Sequence, residues 1–183
     1  MRGRRSRARE AALKVLYQMD ITRDPPEDGL KIFFRHHHVA VDSKPFISLL
    51  VKGTAERMKE IDELLAKYAT NWSLKRMAIV DRNILRLGVY ELLFSEETPP
   101  KVVINEGVEL AKRFGSPDSG KFVNGVLDSI HKGEKGKEAG ASPATATATE
   151  SLSEEELSSE AEEKEDEEEE EEGEDEDENG PAD

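Results

Sequence analysis

The segment Ile79–Phe94 limits what this chain can become more than any other. Ile79, Val80, Ile84, Leu85, Leu87, Val89, Tyr90, Leu92, Leu93 and Phe94 cover nearly the full circumference of a helix. A helix that is apolar all round is stable only when other elements cover it on every side. The rest of the chain must therefore supply a shell. The flanking patterns meet that demand, because every apolar stretch in residues 1–133 recurs at helical period and none alternates as a strand would.

Ala8, Ala11, Ala12, Val15, Leu16 and Met19 form the stripe of a first helix. Residues 23–29 (Arg-Asp-Pro-Pro-Glu-Asp-Gly) are turn chemistry, with prolines placed to open a short helix through Phe33 and Phe34. Asp42 or Ser43 is expected to cap a long helix with Pro45 in its first turn and a stripe of Ile47, Leu50, Thr54, Met58, Ile61, Leu65 and Tyr68. Asn71, Trp72 and Ser73 break it, and Ser73 can cap a short helix over residues 74–77. After the central segment, Pro99 and Pro100 precede a helix striped by Ile104, Gly107, Val108 and Ala111 and closed by Phe114 and Gly115. A last helix from Ser119 carries Phe122, Val123, Val126, Leu127 and Ile130, with Asp118 or Ser119 as N-cap and Gly133 just past its end. The expectation is an all-α domain of about seven helices, neighbours antiparallel across short loops.

Charge divides the chain at the same place. The formal net charge is −15, yet residues 1–133 hold 23 Lys and Arg against 18 Asp and Glu, while residues 134–183 hold 3 against 23. Segment charge is the informative quantity, and it separates a basic domain, 1–133, from an acidic low-complexity tail, 134–183. Leu152 and Leu157 are the only large apolar side chains of the tail, too few to offset about 1–2 kcal/mol per residue of backbone ordering, so disorder is expected there. With no cysteine, disulfides and thiolate metal sites are excluded, which suits a cytoplasmic location. No run approaches the roughly 20 apolar residues of a membrane span.

Five arginines stand in the first nine residues, ahead of or on the first turns of the opening helix. The guanidinium is a planar fork that pairs bidentately with phosphate, so this arm points to nucleic acid, RNA first. An Arg-rich amphipathic start also suits an organelle transit peptide, but Glu10 and Asp20 interrupt its acid-poor character and the fold needs its stripe. Arg82, Arg86 and Glu106 fall inside apolar patterns. Arg86, between Leu85 and Leu87, is expected to be partly buried and to pair with Glu91 or Glu106 as a structural ion pair that locks two helices. His36, His37 and His38 diverge by about 100° each on a helix and cannot converge on one metal ion, so no metal and no cofactor is expected. Residues 115–120 lack the spacing of a nucleotide-binding loop, although the helix that follows could attract an anion beside Lys121, with Phe122 free to stack. No catalytic constellation is apparent, and an enzyme is not expected.

Four blocks then carry a resemblance. The run Arg5-Ser-Arg-Ala-Arg-Glu-Ala-Ala-Leu-Lys-Val-Leu-Tyr17, the central Asp81-Arg-Asn-Ile-Leu-Arg-Leu-Gly-Val-Tyr-Glu-Leu92, Val103-Ile-Asn-Glu106 with Glu109-Leu-Ala-Lys112, and Lys121-Phe-Val-Asn-Gly-Val-Leu-Asp128 together resemble the NusB transcription antitermination family, in order over residues 1–131. The resemblance implies two small helical bundles sharing a core. It implies binding to single-stranded boxA-type RNA of ribosomal leaders together with the small-subunit ribosomal protein NusE, within the transcription elongation complex; a homodimer is left open. Carried onto matching positions, Arg4, Arg5, Arg7 and Arg9 would contact phosphate, Asp118, Ser119, Lys121 and Phe122 would meet RNA, and Tyr17 and Asp81 would lie on the protein-partner face. A NusB-like domain ahead of an RNA methyltransferase is the rival; it is not expected here, because an acidic tail follows residue 133 where that reading needs a cofactor-binding α/β domain. The other class of function is a protein-binding adaptor whose acidic tail recruits basic partners.

Overall fold

The computed structural model describes residues 3–140 apart from Asn71 and Glu96, with side chains as far as Glu134. The acidic residues beyond 140 lie outside the described residues. Among those described there are seven α-helices and no strand: α1 (Arg4–Thr22), α2 (Pro26–His36), α3 (Lys44–Glu56), α4 (Met58–Tyr68), α5 (Ile79–Leu93), α6 (Pro100–Phe114) and α7 (Ser119–Gly140). Short 3-10 turns occupy Val41–Ser43 and Leu74–Arg76.

The helix ends follow local chemistry. Thr22 ends α1 because Arg23 adopts the left-handed conformation (φ 65°) and returns its N–H to the Met19 carbonyl at 2.8 Å, just before two prolines that cannot extend the helix. Pro26 then opens α2, whose first turn holds Glu27 and Asp28 and whose last holds Arg35, charges matched to the helix dipole. Pro100 opens α6 in the same way.

Two groups of helices share one core. α1, α2 and α3 pack on one another, α5, α6 and α7 do likewise, and α4 packs against α3, α5 and α7. The largely buried α5 also touches α1 and α3, which makes it the common wall of the two bundles. Leu16, Ile47, Leu50, Ile61, Leu65, Ile84, Leu85, Leu87, Leu110, Leu127 and Ile130 are fully buried, each contributing roughly 1.5–3 kcal/mol.

Three boundaries differ from the sequence expectation. The long third helix is two helices: Arg57 (φ −97°, ψ 11°) leaves helical geometry between α3 and α4. The division lets the Ile47–Leu50 face serve the first bundle and the Ile61–Leu65 face the second, although the stripe reads continuously in sequence. The short helix after Ser73 is a single 3-10 turn without a side-chain cap. Gly133 does not end the last helix, and α7 continues through it to Gly140. A side chain at Gly133 would overlap the Tyr68 ring, so glycine serves there to let α4 approach. The Tyr68 hydroxyl and the Lys67 ammonium then both donate to Glu134 Oε1, at 2.7 and 2.9 Å. The domain boundary expected at residue 133 therefore falls inside a helix.

Candidate nucleic-acid interface

The first turns of α1 sort their arginines by helical phase. Arg4, Arg5 and Arg7 are exposed. Arg4 lies 3.5 Å from Asp42 and Arg5 lies 3.2 Å from Glu97, both water-exposed pairs of small energetic weight. Arg7 has no ion-pair partner among the described residues.

Arg9 corrects the sequence expectation. It is 2 % exposed, and its guanidinium faces inward. Nη2 donates to Glu91 Oε1 at 2.7 Å and to Thr98 Oγ1 at 3.0 Å, and Nε donates to Glu91 Oε2 at 2.8 Å. Glu106 stands 4.0 Å away and accepts a 2.7 Å bond from Ser6. Positions 9, 12, 13 and 16 lie on one helical face, and Ala12, Leu13 and Leu16 bury it, so Arg9 goes inside with them. It ties α1 to α5 and to the loop before α6, and it offers nothing to phosphate.

The partner of Arg86 is likewise corrected. Neither Glu91 nor Glu106 reaches it; Asp62 on α4 takes Nε and Nη2 at 2.8 and 2.7 Å, and Asp20 at the end of α1 takes Nη1 at 3.2 Å. Asp20 also accepts from Arg82 at 2.8 Å and Asn83 at 3.1 Å. Burial alone would raise the Asp20 carboxyl, but the hydrogen bonds from Arg82 and Asn83 and the charges of Arg82 and Arg86 outweigh it and hold the group below its usual value. Arg86 thus bridges α1, α4 and α5 through acids other than the two expected. Asp20 follows Leu13 and Leu16 on the inner face of α1, and that spacing was the available signal.

On the outer side, Arg4, Arg7, Lys14, His37, His38 and Arg113 border a groove of about 760 Å³ between α1, the chain after α2 and the end of α6. Glu10 sits in it, bonded to Lys14 at 3.0 Å and Arg113 at 2.8 Å. His37 packs on the Phe33 ring at 4.3 Å, and among the described residues no cluster suits a metal ion. Lys14 also borders a second hollow of about 290 Å³, almost wholly apolar, walled by Leu13, Tyr17, Val80 and Phe114. Tyr17 is 38 % exposed at its edge. The cations of Lys14 and Arg113 stand 5.9 and 5.2 Å from the centre of the Phe114 ring. A basic groove and an apolar hollow thus adjoin across one lysine.

Beyond Phe114 the chain turns into α7. Asp118 and Lys121 are exposed there, but Ser119 is 1 % exposed and cannot meet a ligand as expected. Its hydroxyl accepts from the Ser116 N–H at 2.9 Å and donates to Asp81 at 2.8 Å, stapling the turn to α5. Asp81 is therefore no surface charge on a partner face: it is 9 % exposed and its other oxygen is buried without a hydrogen-bond partner in the structure. Phe122 is half-buried against Trp72, ring centres 5.6 Å apart. Of the residues expected to form the interface, Arg4, Arg7 and Tyr17 border adjoining surfaces, Arg5, Asp118, Lys121 and Phe122 stay accessible, and Arg9, Asp81 and Ser119 do not. Lys14 and Arg113, on the groove, and Trp72, beside Phe122, were missed, since only the fold brings each to its neighbours.

Fold and surface define a class: a two-bundle all-helical domain with arginines on the exposed face of its first helix, beside an apolar hollow. The NusB family model matches residues 6–132, and the chain belongs to the NusB family. The transcription antitermination protein NusB of Anaeromyxobacter dehalogenans is 47% identical over 134 residues, 73% of this chain and 94% of that one. That of Syntrophus aciditrophicus is 42% identical over 131 residues, 72% of this chain and 81% of the relative. Among solved structures, T. maritima NusB is 40% identical with a TM-score of 0.65, covering 75% of this chain and 99% of its own. A structure of the antitermination factors NusB and NusE in complex with double-stranded RNA is 34% identical with a TM-score of 0.66, covering 73% and 99%. No described helix is long and apolar enough to cross a membrane.

Proposed function

We propose that this chain is a non-catalytic RNA-binding transcription antitermination factor that holds boxA-type leader RNA jointly with NusE in the elongation complex. The observation that carries the reading is the adjacency of two unlike surfaces across Lys14, one cationic and one apolar. Arg4, Arg5 and Arg7 supply phosphate contacts, Lys121 and Phe122 add a charge and a ring at the far end, and the hollow beside Tyr17 takes the protein partner. Phosphate contacts position an RNA, and a second protein at its side can add the selectivity that charge alone lacks. Support comes from relatives named as antitermination proteins and from the related NusB solved with NusE and RNA.

The test is affinity for a short boxA RNA and a scrambled RNA of equal length, each with and without NusE, at several salt concentrations. The expected result is salt-dependent binding to both RNAs, with NusE strengthening boxA binding at least tenfold more than scrambled. Equal affinities in all four arms would overturn the reading.

A further inference from the structure

Trp72 is the only tryptophan of the chain, and it is 53 % exposed. A large ring left in water calls for an explanation, because the described residues beside it are held by hydrogen bonds. The Trp72 N–H donates to the Ala69 carbonyl at 2.9 Å, the Leu74 carbonyl accepts from Arg82 at 2.9 Å, and the Arg76 side chain returns to Ser73 Oγ at 3.3 Å. Phe122, at the start of α7, backs the indole at 5.6 Å with the rings tilted by 53°. Lys75 and Arg76 follow Trp72 closely and Lys121 precedes Phe122; all three are exposed, and none forms an ion pair with a described residue. An exposed aromatic ring packed on a second ring, with exposed cations next to both in the chain, is the kind of surface that single-stranded nucleic acids use, because every base offers a π-face and every linkage a phosphate.

Resting on the RNA reading above, we infer that Trp72, braced by Phe122, is a stacking platform for one unpaired base, with Lys75, Arg76 and Lys121 holding the flanking phosphates. The platform extends the interface from α7 to the loop between α4 and α5. It also makes Trp72 a determinant of specificity: in a duplex both faces of an internal base are covered by its neighbours, so only an unpaired or terminal base can use the ring.

A single tryptophan provides its own probe. The full chain is titrated with single-stranded boxA RNA and with the same sequence as a duplex, reading tryptophan emission and, separately, the anisotropy of labelled RNA. Emission should be quenched along the same isotherm as the anisotropy rise for the single strand, and far less for the duplex. Trp72→Ala should weaken single-strand binding by about fivefold or more, the lower end for loss of one stacked base, and leave duplex binding unchanged. Trp72→Phe should keep most of the affinity, and replacing one RNA base by an abasic site should reproduce the loss in the parent while adding nothing in Trp72→Ala. Unquenched emission at saturation, together with parental affinity of Trp72→Ala, would overturn the platform while leaving RNA binding intact. An anisotropy that never rises for either RNA would overturn the RNA reading, and the platform with it.

Discussion

Arg7 and Arg9 stand two residues apart on one helix and belong to opposite regions of the molecule. Arg7 faces the groove with no described carboxylate paired to it; Arg9 is buried with Glu91, Thr98 and the edge of Glu106 around its guanidinium. The same side chain can be a ligand for phosphate or a bolt between helices, and helical phase decides which. Arg86 repeats the inner pattern with Asp62 and Asp20, while Arg4 and Arg5 keep the outer one. A basic cluster counted in sequence therefore overstates the charge a partner meets.

The sharpest way to break this contrast is Arg9→Ala. It leaves the Glu91 carboxylate buried with only Thr98 as a weak partner at 3.5 Å, and loss of one member of a buried pair typically costs about 3–5 kcal/mol. Urea denaturation should show that loss in the midpoint. Stability within about 1 kcal/mol of the parent, well short of that cost, would return Arg9 to the RNA-contacting set. Arg86→Ala should cost less, because Asp20 keeps Arg82 and Asn83 and Asp62 is part-exposed; a loss exceeding that of Arg9→Ala would reverse the ranking.

The inner region also predicts an acid response. The Asp20 pKa is depressed in the folded state, so its contribution is present above the unfolded value near pH 4 and disappears as pH falls through the lower folded value. Melting temperatures between pH 6 and pH 2 should fall toward the acid end, and Asp20→Asn should start lower and fall less steeply. Parallel curves for the two proteins would mean that the charge on Asp20 does not matter.

Much of this was legible in the sequence. The all-helical class and the central position of α5 follow from apolar period, since a helix whose apolar side chains run nearly all the way round has nowhere else to go. The split at Arg57 was not legible, because the stripe from Ile47 to Tyr68 keeps its spacing while the helices it serves change. Gly133 read as a terminator because a helix-ending glycine and a glycine under a crossing ring look alike until Tyr68 is placed against it. Among site residues, local spacing distinguishes Arg9 from Arg7, but the pairing of Arg86 with Asp62 and Asp20 depends on three helices meeting. Ser119 reads as a cap and a ligand alike, and its bonds to the Ser116 N–H and to Asp81 make it neither.

The outer region should lose binding without losing stability. Replacing Arg4, Arg5 and Arg7 together by Ala removes exposed charges whose pairs are weak, so the melting temperature should hold. RNA affinity at low salt should fall by an order of magnitude or more, and the salt slope should drop by about 0.7 for each phosphate of a single strand that is no longer neutralised. An unchanged slope would place the phosphate-binding residues elsewhere.

The smallest expected effect belongs to the acidic tail, and it asks how far the outer arginines feel charge at a distance. Residues 141–183 carry 21 Asp and Glu against one Lys, on the same chain as the basic arm. Their summed field opposes the approach of a polyanion whether or not they touch the RNA surface. At physiological salt the Debye length is about 8 Å, so most of that opposition is screened, and at 0.01 M it reaches about 30 Å. Truncation should follow Gly140 rather than Gly133, because Glu134 is held by Lys67 and Tyr68 and its loss would damage the fold. The truncated protein should bind RNA two- to several-fold more tightly at low salt, mainly through a faster association rate, with the advantage gone by about 0.5 M. A gain that persisted at high salt would mean short-range contact rather than a screened field. Identical curves at every salt would mean that the arginines answer only to charges within the folded domain.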